Sequence, residues 1–597
     1  MRYNTLFILI TAALGGSFLA GCNSSSSSSS DPVAVVDEKP EPIVEEEPEP
    51  IVEDEPESIV DKTIKLSVLG QYQSGIYGKS AAEIVAFDAE SKRAFVVNAS
   101  SGEVDVLDMS NPAVPSKMST INVSDLGGDA NSVAVKNGLV AIAVEADNKQ
   151  DNGFVAFYDV DGIRLNVVKA GALPDALTFS PDGRYVLVAN EGEPNDEYTV
   201  DPEGSITIID LKDGKNPDVL DPIVKTANFR AFNGQEDELR GQGVRIFGPG
   251  ASAAKDFEPE WIEVSSDSKT AYVSLQENNA IAVVDIEKAE VTDILPLGFK
   301  DWSADGKWSG KGFDASDRDG GINIRHWPVL GMYQPDTIRL YEVNGKRYIL
   351  TANEGDARDY KGWTEEFRVK NLQLDPDAFP NAEELKGDDN LGRLKVTSTL
   401  GLSDKSDSRC DPSDSSTVKK YCVYDKLYAY GARSMSIFEV TKDGLVKVFD
   451  TGSQMEETVA EMFPDDFNAN NSRNESFDSR SDDKGPEPEG MAIGEVEGRT
   501  YAFVGLERVG GVMVYDITEP EQTTFVQYIN NRDFNLPNDD ELLAQTDLGP
   551  EGLYFIPADD SPDSEGRPLL LVANEVSGTT TVFVIDSIEK EQDQQQP

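Results

Sequence analysis

Seven segments of the chain repeat one short pattern, and this repeat limits the possible folds more than any other feature. Each segment has an apolar strand with a polar residue at its start, then a turn and a second strand that stops near a carboxylate. A loop follows, and then a third strand that ends near Asp. The segments are 82–109, 130–160, 174–211, 259–286, 335–440, 488–517 and 550–585. The sequences "SPDGR" (180–184) and "VNGKR" (343–347) are typical hairpin turns between alternating apolar runs.

A repeat built from antiparallel strands predicts an all-β chain. With about four strands per segment, we expect a seven-bladed β-propeller with loop insertions. The apolar stretch 64–72, ahead of the first repeat, is expected to pair into the last blade and close the ring. An array of β-sandwiches is the alternative. Such an array gives no reason for one polar strand start to recur in every segment.

The second strands of three segments end in nearly the same letters: "LVANEG" (187–192), "LTANEG" (350–355) and "LVANEV" (571–576). In a propeller, the first strand of a blade lines the central channel and the second returns beside it. The start of the first strand and the end of the second therefore lie at the same face. The start positions are Glu83, Asn131, Asp175, Glu260, Asp336, Glu489 and Glu551. The end positions are Ala99, Glu145, Glu191, Glu277, Glu354, Glu507 and Glu575.

Six of the seven residues in each set are carboxylates, so the fold would gather two concentric rings of acids around one channel mouth. Crowded carboxylates take up protons or bind cations, and calcium accepts irregularly placed oxygens more readily than magnesium. We therefore predict a divalent-cation site, with Ca²⁺ as the expected cofactor. Two other interpretations stay open: single acids can accept hydrogen bonds from turns, and loop lysines or arginines can cover the rings. The predicted ligands are Glu83, Asp175, Glu191, Glu260, Asp336, Glu354, Glu489, Glu551 and Glu575.

Two insertions are predicted, at 287–333 and 356–431, and the second would lie over the mouth as a lid or wall. It contains Cys410 and Cys422, which in an exported protein are expected to form a disulfide that pins a local loop. The first insertion contains Asp314, Asp317 and Asp319 before two glycines. This stretch resembles a calcium loop, although Asp314 is one place away from the EF-hand spacing.

Residues 1–21 are typical of a bacterial export signal, because Arg2 precedes an apolar stretch too short to span a membrane. The sequence "LAGC" (19–22) resembles the lipobox of bacterial lipoproteins, which implies cleavage before Cys22 and lipid attachment to its sulfur. An ordinary signal peptide with an incidental cysteine is the alternative. Residues 22–62, rich in Ser, Pro and Glu, predict a disordered tether. Residues 63–588 are assigned to the propeller and 589–597 to a disordered tail.

The formal net charge is −56, from 109 acidic and 53 basic residues. This charge argues against nucleic acid as a partner and favours cations, although solubility in a salty environment would also explain much of it. One histidine in the whole chain argues against zinc. The sequence contains no nucleophile elbow, phosphate-binding loop or paired-cysteine motif. Any enzymatic activity would therefore depend on a metal.

Several long stretches resemble the choice-of-anchor I family, which is similar to the animal mesenchyme-specific cell-surface glycoproteins. The stretches are "SAAEIVAFDAESKRAFVVNASSGEVDVLD" (80–108), "LPDALTFSPDGRYVLVANEGEPNDEY" (173–198), "NIRHWPVLGMYQPDTIRLYEVNGKRYILTANEGDARDY" (323–360), "GARSMSIFEV" (431–440) and "GPEPEGMA" (485–492). The resemblance implies a propeller fold and an extracytoplasmic location. It implies little about activity, since some relatives are described as alkaline phosphatases or phytase-like esterases.

The leading hypothesis is a lipoprotein of the bacterial outer membrane or cell surface, whose acidic face binds divalent cations in a binding or mineral-interaction role. It would contact the bilayer only through Cys22. The alternative is a metal-dependent phosphoesterase, in which Arg325, Arg433 and Arg508 would contact the phosphate and His326 is a candidate catalytic residue. A protein-binding propeller without metal is the third hypothesis. Phosphate esters or a surface partner are therefore also open as ligands.

Overall fold

The computed structural model describes residues 62–589. Within this range the chain forms nine β-sheets. Seven sheets have four strands, one has five and one has two. The predicted export signal, the lipidation site Cys22 and the tether up to residue 61 lie outside the described residues, as does the tail from residue 590.

The seven four-stranded sheets follow one another along the chain and are numbered in that order, with strands given from the innermost outward. Sheet 1 consists of Val85–Asp88, Arg93–Asn98, Glu103–Asp108 and Ser116–Asn122. Sheet 2 consists of Ala130–Lys136, Leu139–Val144, Asn152–Asp159 and Arg164–Ala172. Sheet 3 consists of Pro174–Phe179, Tyr185–Asn190, Ser205–Asp210 and Ile223–Asn228. Sheet 4 consists of Pro259–Val264, Thr270–Leu275, Ala280–Asp285 and Glu290–Pro296. Sheet 5 consists of Ile338–Val343, Lys346–Ala352, Met435–Thr441 and Gly444–Asp450. Sheet 6 consists of Pro488–Val496, Arg499–Leu506, Val512–Asp516 and Thr524–Ile529. Sheet 7 consists of Pro550–Ile556, Leu569–Asn574, Thr579–Glu589 and Lys62–Gln73.

These sheets form a closed ring. The first strand of each sheet contacts the first strand of the next, and the first strand of sheet 7 contacts that of sheet 1. A cluster of buried apolar side chains fills each interface between neighbouring sheets. Phe95 and Ile142 share the cluster between sheets 1 and 2, and Ile556 and Val85 share the one between sheets 7 and 1. The fold is therefore a β-propeller whose core is a ring of intersheet clusters.

Burial decreases from the second strand of a sheet to its outermost strand. Leu139–Val144 and Tyr185–Asn190, both second strands, are buried at every position. Their unbroken apolar runs suit a strand that is covered on both faces. Ser116–Asn122, a fourth strand, is mostly exposed. The buried second strands are the ones that end at the predicted acids.

The outermost strand of sheet 7 comes from the start of the described chain. Lys62–Gln73 pairs antiparallel with Thr579–Glu589, which confirms the predicted pairing of residues 64–72. Gln73 pairs with Thr579, close to the end of the second strand, and Lys62 pairs with Glu589 at the other end. At about 3.3 Å per residue, Lys62 is roughly 35 Å away from Gln73, at the opposite end of the strand.

The two predicted insertions pack together. They share the five-stranded sheet of Phe299–Asp301, Leu330–Met332, Tyr428–Ala429, Lys395–Thr397 and Glu366–Arg368. Gln373–Leu374 and Val423–Tyr424 form the two-stranded sheet. The disulfide between Cys410 and Cys422 is confirmed, with a Cα–Cα distance of 4.8 Å. The predicted first insertion differs from the structure at its start, because Glu290–Pro296 is the fourth strand of sheet 4.

The α-helices of the described range lie outside the seven sheets. They are Glu236–Gln242, Ala253–Asp256, Ala382–Leu385, Ser415–Tyr421, Gln454–Met462 and Asp540–Leu543. None of them has the length and apolar character needed to span a membrane. Gln454–Met462 belongs to a third inserted segment, 451–487, which the sequence analysis did not predict.

Candidate metal centre

The predicted start acids lie where the first strands begin. In sheets 3, 4, 6 and 7 a proline opens the strand and the acid follows it, as in Pro174-Asp175. Proline suits this position because it has no N–H to donate to the ladder. The pairing register shifts after the proline in each of these sheets. Such a shift takes the next side chain out of the regular alternation, and here that side chain lines the channel mouth.

Register also explains why start and end acids lie side by side. Pro174 pairs with Asn190 on the antiparallel second strand. Asp175 follows Pro174 and Glu191 follows Asn190, so the two acids flank this pair. Sheet 7 repeats this arrangement from its opening proline. The pairing therefore brings both acids to the same end of the sheet, where the end acid is the first residue after its strand.

Sheet 4 departs from the predicted alignment. Pro259 pairs with Leu275, so the register-equivalent end residue is Gln276. Glu277, the residue predicted for this position, lies one residue too far along. The error arises because four polar residues, "QENN" (276–279), follow the apolar run, and only the pairing register shows which of them ends the strand.

All nine predicted ligands fall into three groups of three, which we call triads 1, 2 and 3. Ligand oxygens within each triad lie within 4.8 Å of one another. Each triad combines the start and end acids of one sheet with the start acid of the next. The predicted pair of even rings is thus replaced by three clusters, each at an interface between sheets. Triad 1 is Glu83, Glu551 and Glu575, triad 2 is Asp175, Glu191 and Glu260, and triad 3 is Asp336, Glu354 and Glu489.

The six start acids line one cavity of about 330 Å³ at the mouth of the channel. Glu191 and Glu145 of the end set also line it, together with Lys149. A second cavity of about 500 Å³, lined by first-strand residues such as Val135 and Phe555, continues along the channel. We call the first cavity and the three triads the mouth.

Burial and mutual repulsion raise the pKa values of the mouth carboxyls. Burial, followed by the charge of Glu575, raises the pKa of Glu83 to about 8. Burial raises the pKa of Asp175 to about 7. Burial and neighbouring carboxylates raise the pKa values of Glu260 and Glu551 well above the usual range. These groups hold protons at a pH where an exposed carboxyl has lost them, unless a cation takes the place of the proton.

Several carboxylate oxygens of the mouth have no hydrogen-bond partner in the described part of the chain. Oε2 of Glu551 and Oε2 of Glu489 are buried and unpartnered. Glu277 is 6% exposed, its Oε2 is also unpartnered, and its charge helps to raise the pKa values of Glu191 and Glu260 beside it. A buried acceptor without a partner costs about 1–3 kcal/mol. A bound cation would satisfy these oxygens.

The asparagine of the "ANE" ends has a structural role that the sequence analysis did not assign. Asn190 donates to the backbone oxygen of Ser205 at 2.9 Å and to Oγ1 of Thr207 at 3.1 Å. Asn353 donates in the same way to Oγ of Ser436 at 2.8 Å. The amide ties the second strand to the third, and the glutamate that follows is left for the mouth. The partner hydroxyls form a visible pattern, "SIT" (205–207), "SMS" (434–436) and "TTT" (579–581).

A fourth acid group, formed by Glu354, Glu487 and Glu507, is neutralised by the protein. Lys484 Nζ lies 2.6 Å from Glu354 and 3.1 Å from Glu487. Arg508 lies 3.0 Å from Glu487 and 2.7 Å from Glu507. Burial opposes ionisation of Glu487, yet the neighbouring lysine and arginines outweigh it and lower the pKa. Lys484 and Glu487 belong to segment 451–487, which carries no repeat and was therefore missed.

The candidate catalytic residues are engaged elsewhere or lie apart from the mouth. Arg433 is buried and donates to Glu456 at 2.6 Å, and Arg508 is paired as described above. Arg325 stacks on a tryptophan ring with 3.9 Å to the ring centre, and His326 is exposed. In the described range, the lining of the mouth cavity includes none of these four residues. The geometry does not favour the phosphoesterase alternative, which stays a prediction.

The stretch resembling a calcium loop does not assemble in the described structure. Asp317 is paired with Arg393. Asp314 is buried and accepts the backbone N–H of Asn323 at 2.5 Å. The acid groups found within metal-binding distance in residues 62–589 do not include Asp314, Asp317 or Asp319.

The choice-of-anchor I domain model matches residues 83–520, which include five of the six acidic start positions. The chain belongs to the choice-of-anchor I family. Among curated relatives of this choice-of-anchor I protein, a mesenchyme-specific cell surface glycoprotein of Strongylocentrotus purpuratus is 29% identical over 330 residues, 50% of this chain and 41% of that protein. Gigasin-3a of Magallana gigas is 32% identical over 177 residues, 28% of this chain and 60% of that protein. The matches thus span about half the length of these relatives.

Two solved structures show similarity over 87% of this chain. Hydrazine synthase of Kuenenia stuttgartiensis aligns with a TM-score of 0.41 and 13% identity, over 98% of its chain. The β-propeller domain of Cps50 (Swd1) of Myceliophteria thermophila aligns with a TM-score of 0.40 and 8% identity, over 99% of its chain.

Proposed function

We propose that this choice-of-anchor I protein is a surface-anchored propeller whose mouth binds divalent cations, with calcium favoured over magnesium. The observation that carries the proposal is the set of three carboxylate triads at one cavity, with buried oxygens that lack partners. In residues 62–589, none of the six carboxylates of triads 1 and 2 has a lysine or arginine nitrogen within 4.0 Å; Lys149 pairs with Glu145 and Lys484 with Glu354.

The spacing of the triads fits calcium. Calcium binds oxygens at about 2.3–2.6 Å, so two oxygens on one ion lie at most about 5 Å apart. Oxygens within each triad meet this limit, at 4.8 Å or less. Calcium takes six to eight oxygens in a flexible arrangement, whereas magnesium requires a near-ideal octahedron of shorter bonds. Three carboxylates with irregular placement therefore suit calcium better.

We also propose that each four-stranded sheet is one blade, so that the propeller has seven blades. The ring of first-strand contacts and the apolar cluster at every interface support this count. The location at a cell surface is supported by the relative that is named a cell surface glycoprotein. The propeller would be tethered through lipidated Cys22.

Calorimetric titration of the full chain, stripped of metal by a chelator, tests the cation site. Saturable calcium binding is expected, with weaker binding of magnesium. The triple variant Asp175→Asn, Glu191→Gln, Glu260→Gln should lose the site at triad 2. A control with the same change in charge, Glu90→Gln, Glu238→Gln, Asp305→Asn, alters exposed acids and should bind as the wild type does. Absence of saturable uptake by the wild type would overturn the proposal.

The anchor is tested by Cys22→Ser. We expect the variant to leave the membrane fraction and to keep the melting temperature of the wild type, because the described propeller begins only at Lys62. Detergent-phase partitioning gives the readout. If the variant partitions as the wild type does, the lipoprotein assignment is wrong.

A further inference from the structure

The three triads of the mouth differ in what the protein supplies to them. At triad 3, Glu354 accepts at Oε1 from Lys484 Nζ at 2.6 Å and at Oε2 from Gln276 Nε2 at 2.8 Å. Both of its oxygens are therefore in use. At triad 1, the contacts to Glu575 are at the limit of hydrogen bonding, 3.4 Å from Ser80 and 3.5 Å from Asn471.

Triad 2 differs from triad 3 because its end acid, Glu191, has neither a lysine nor a glutamine in the equivalent places. Its neighbour Glu277 instead adds a further buried carboxylate, with Oε2 unpartnered and the residue 6% exposed. Lys149 lines the same cavity but pairs with Glu145 at 3.4 Å, so in residues 62–589 no lysine or arginine is within salt-bridge distance of the three carboxylates of triad 2. This is the charge distribution that a divalent cation needs.

Lys484 is held as a cation would be held. The residue is 8% exposed, and its ammonium contacts oxygens of Glu354, Glu487 and Gly355. Its Nζ lies 2.6 Å from Oε1 of Glu354 and 3.1 Å from Oε2 of Glu487. The ammonium therefore places a positive charge inside a shell of oxygen ligands.

We propose that Lys484 is a tethered counter-cation that takes Glu354 away from triad 3, so that the mouth binds two divalent cations, one at triad 1 and one at triad 2, and not three. The inference rests on the proposed function, since it assigns the number and identity of the sites. It also explains why one of three similar clusters has a lysine. That lysine lies on segment 451–487, outside the repeated strands, so the distinction between the triads is made by an insertion and not by the blades.

The number of bound calcium ions tests this inference. With calcium alone as the probe, equilibrium dialysis and calorimetry on the full, chelator-stripped chain should give two ions per wild-type chain and three per chain for Lys484→Met. Lys484→Arg keeps the positive charge and should bind two. A wild type that binds three ions, or a Lys484→Met variant that binds the same number as the wild type, overturns the inference and leaves the proposed function standing.

Lys484→Met leaves buried carboxylates without a partner and can fail to fold. The double variant Lys484→Met, Glu487→Gln removes one charge of each sign and should fold, with Glu354 free for a third ion. If the double variant folds and binds two ions, Lys484 is not a counter-cation. The result also separates the two proposals. A wild type that binds no calcium, with variants that bind one ion, overturns the proposed function and supports the role of Lys484; no binding by either overturns both.

Discussion

The mouth and the interface between the insertions and the ring both collect carboxylates, but they neutralise them in different ways. At the interface, Lys300 lies 2.8 Å from Asp450, and Arg433 lies 2.6 Å from Glu456. All four residues are fully buried. At the mouth, triads 1 and 2 are half-buried around a cavity and have no lysine or arginine partner in the described range.

This comparison shows that the number of acids does not separate a structural site from a binding site. The two differ in the source of the counter-charge. Where a lysine or arginine is built in, no exchangeable ion is needed, and where none is built in, protons or free cations must take its place. Lys484 combines the two cases, because it is a built-in lysine that pairs with Glu354, an acid of the mouth.

The largest loss of stability is expected at the interface between the insertions and the ring. Lys300 donates to Asp450 at 2.8 Å, to Gly452 O at 2.8 Å and to Ala432 O at 3.1 Å. Lys300→Met takes the closer of two lysines from buried Asp450, since Lys447 Nζ stays 3.9 Å away, and removal of one partner of a buried pair costs about 3–5 kcal/mol. Urea denaturation gives the free energy of unfolding. Calcium should not restore it, because neither Lys300 nor Asp450 lines the mouth cavity or belongs to a triad.

The matched control for this variant is Lys361→Met. Lys361 also pairs with an aspartate, Asp196, but its side chain is 72% exposed. Exposed ion pairs contribute little, so this variant should be close to the wild type. If the two lysine variants lose the same stability, the interface pairs are not structural and the contrast with the mouth disappears.

The repeats allowed all nine members of the triads to be predicted from the sequence, because strand pairing alone brings start and end acids together. Glu191 and Asp175, for example, are adjacent as a direct result of the register of sheet 3. Grouping into triads could not be predicted, because it depends on the spacing between neighbouring sheets. The role of Lys484 was also out of reach, since segment 451–487 has no repeat and its position is set by tertiary packing. Glu277 was misplaced by one residue because a single polar run permits two registers.

The second effect is the loss of stability when calcium is removed from the mouth. A ligand that binds only the folded chain stabilises it by about 2.7 kcal/mol at a free concentration 100 times its Kd. A chelator should therefore lower the melting temperature. Neutralising triad 2, by Asp175→Asn, Glu191→Gln and Glu260→Gln, should reduce this sensitivity. If the variant is more stable than the wild type and calcium alters neither, the triads are only repelling acids and bind nothing.

The third effect is the pH dependence of the metal-free chain. The pKa values in the folded chain, about 8 for Glu83 and about 7 for Asp175, lie above those of unfolded carboxyls. The folded state therefore holds more protons between about pH 4.5 and pH 8, and stability should fall as the pH rises through this window, by about 1.4 kcal/mol per pH unit for each extra proton. Melting curves in chelator from pH 5 to pH 8.5 measure this slope.

Calcium should flatten the pH slope, because the ion replaces the protons. The triad 2 variant supplies the control, since it lacks three of the titrating groups and should show a shallower slope in chelator. A slope of the opposite sign, with stability rising toward pH 8, would mean that the mouth acids are paired with cations in the folded chain, as the interface acids are.

The most local effect, and the smallest expected effect on the mouth, comes from the disulfide, which belongs to the interface side of the comparison. Cys422 is buried in the apolar cluster of the insertions with Val418 and Tyr424. The bridge joins residues only 12 apart in sequence, so it closes a short loop, and the chain-entropy effect of removing it is about 3 kcal/mol. In the variant Cys410→Ser, Cys422→Ser, hydrogen exchange should rise in residues 403–425 and stay unchanged in the second strands. Calcium binding should also stay unchanged, because no triad residue lies on this loop. If removal of the disulfide weakens calcium binding, the insertions hold the mouth in place and the two regions are coupled, which would replace the contrast between them with a single cooperative unit.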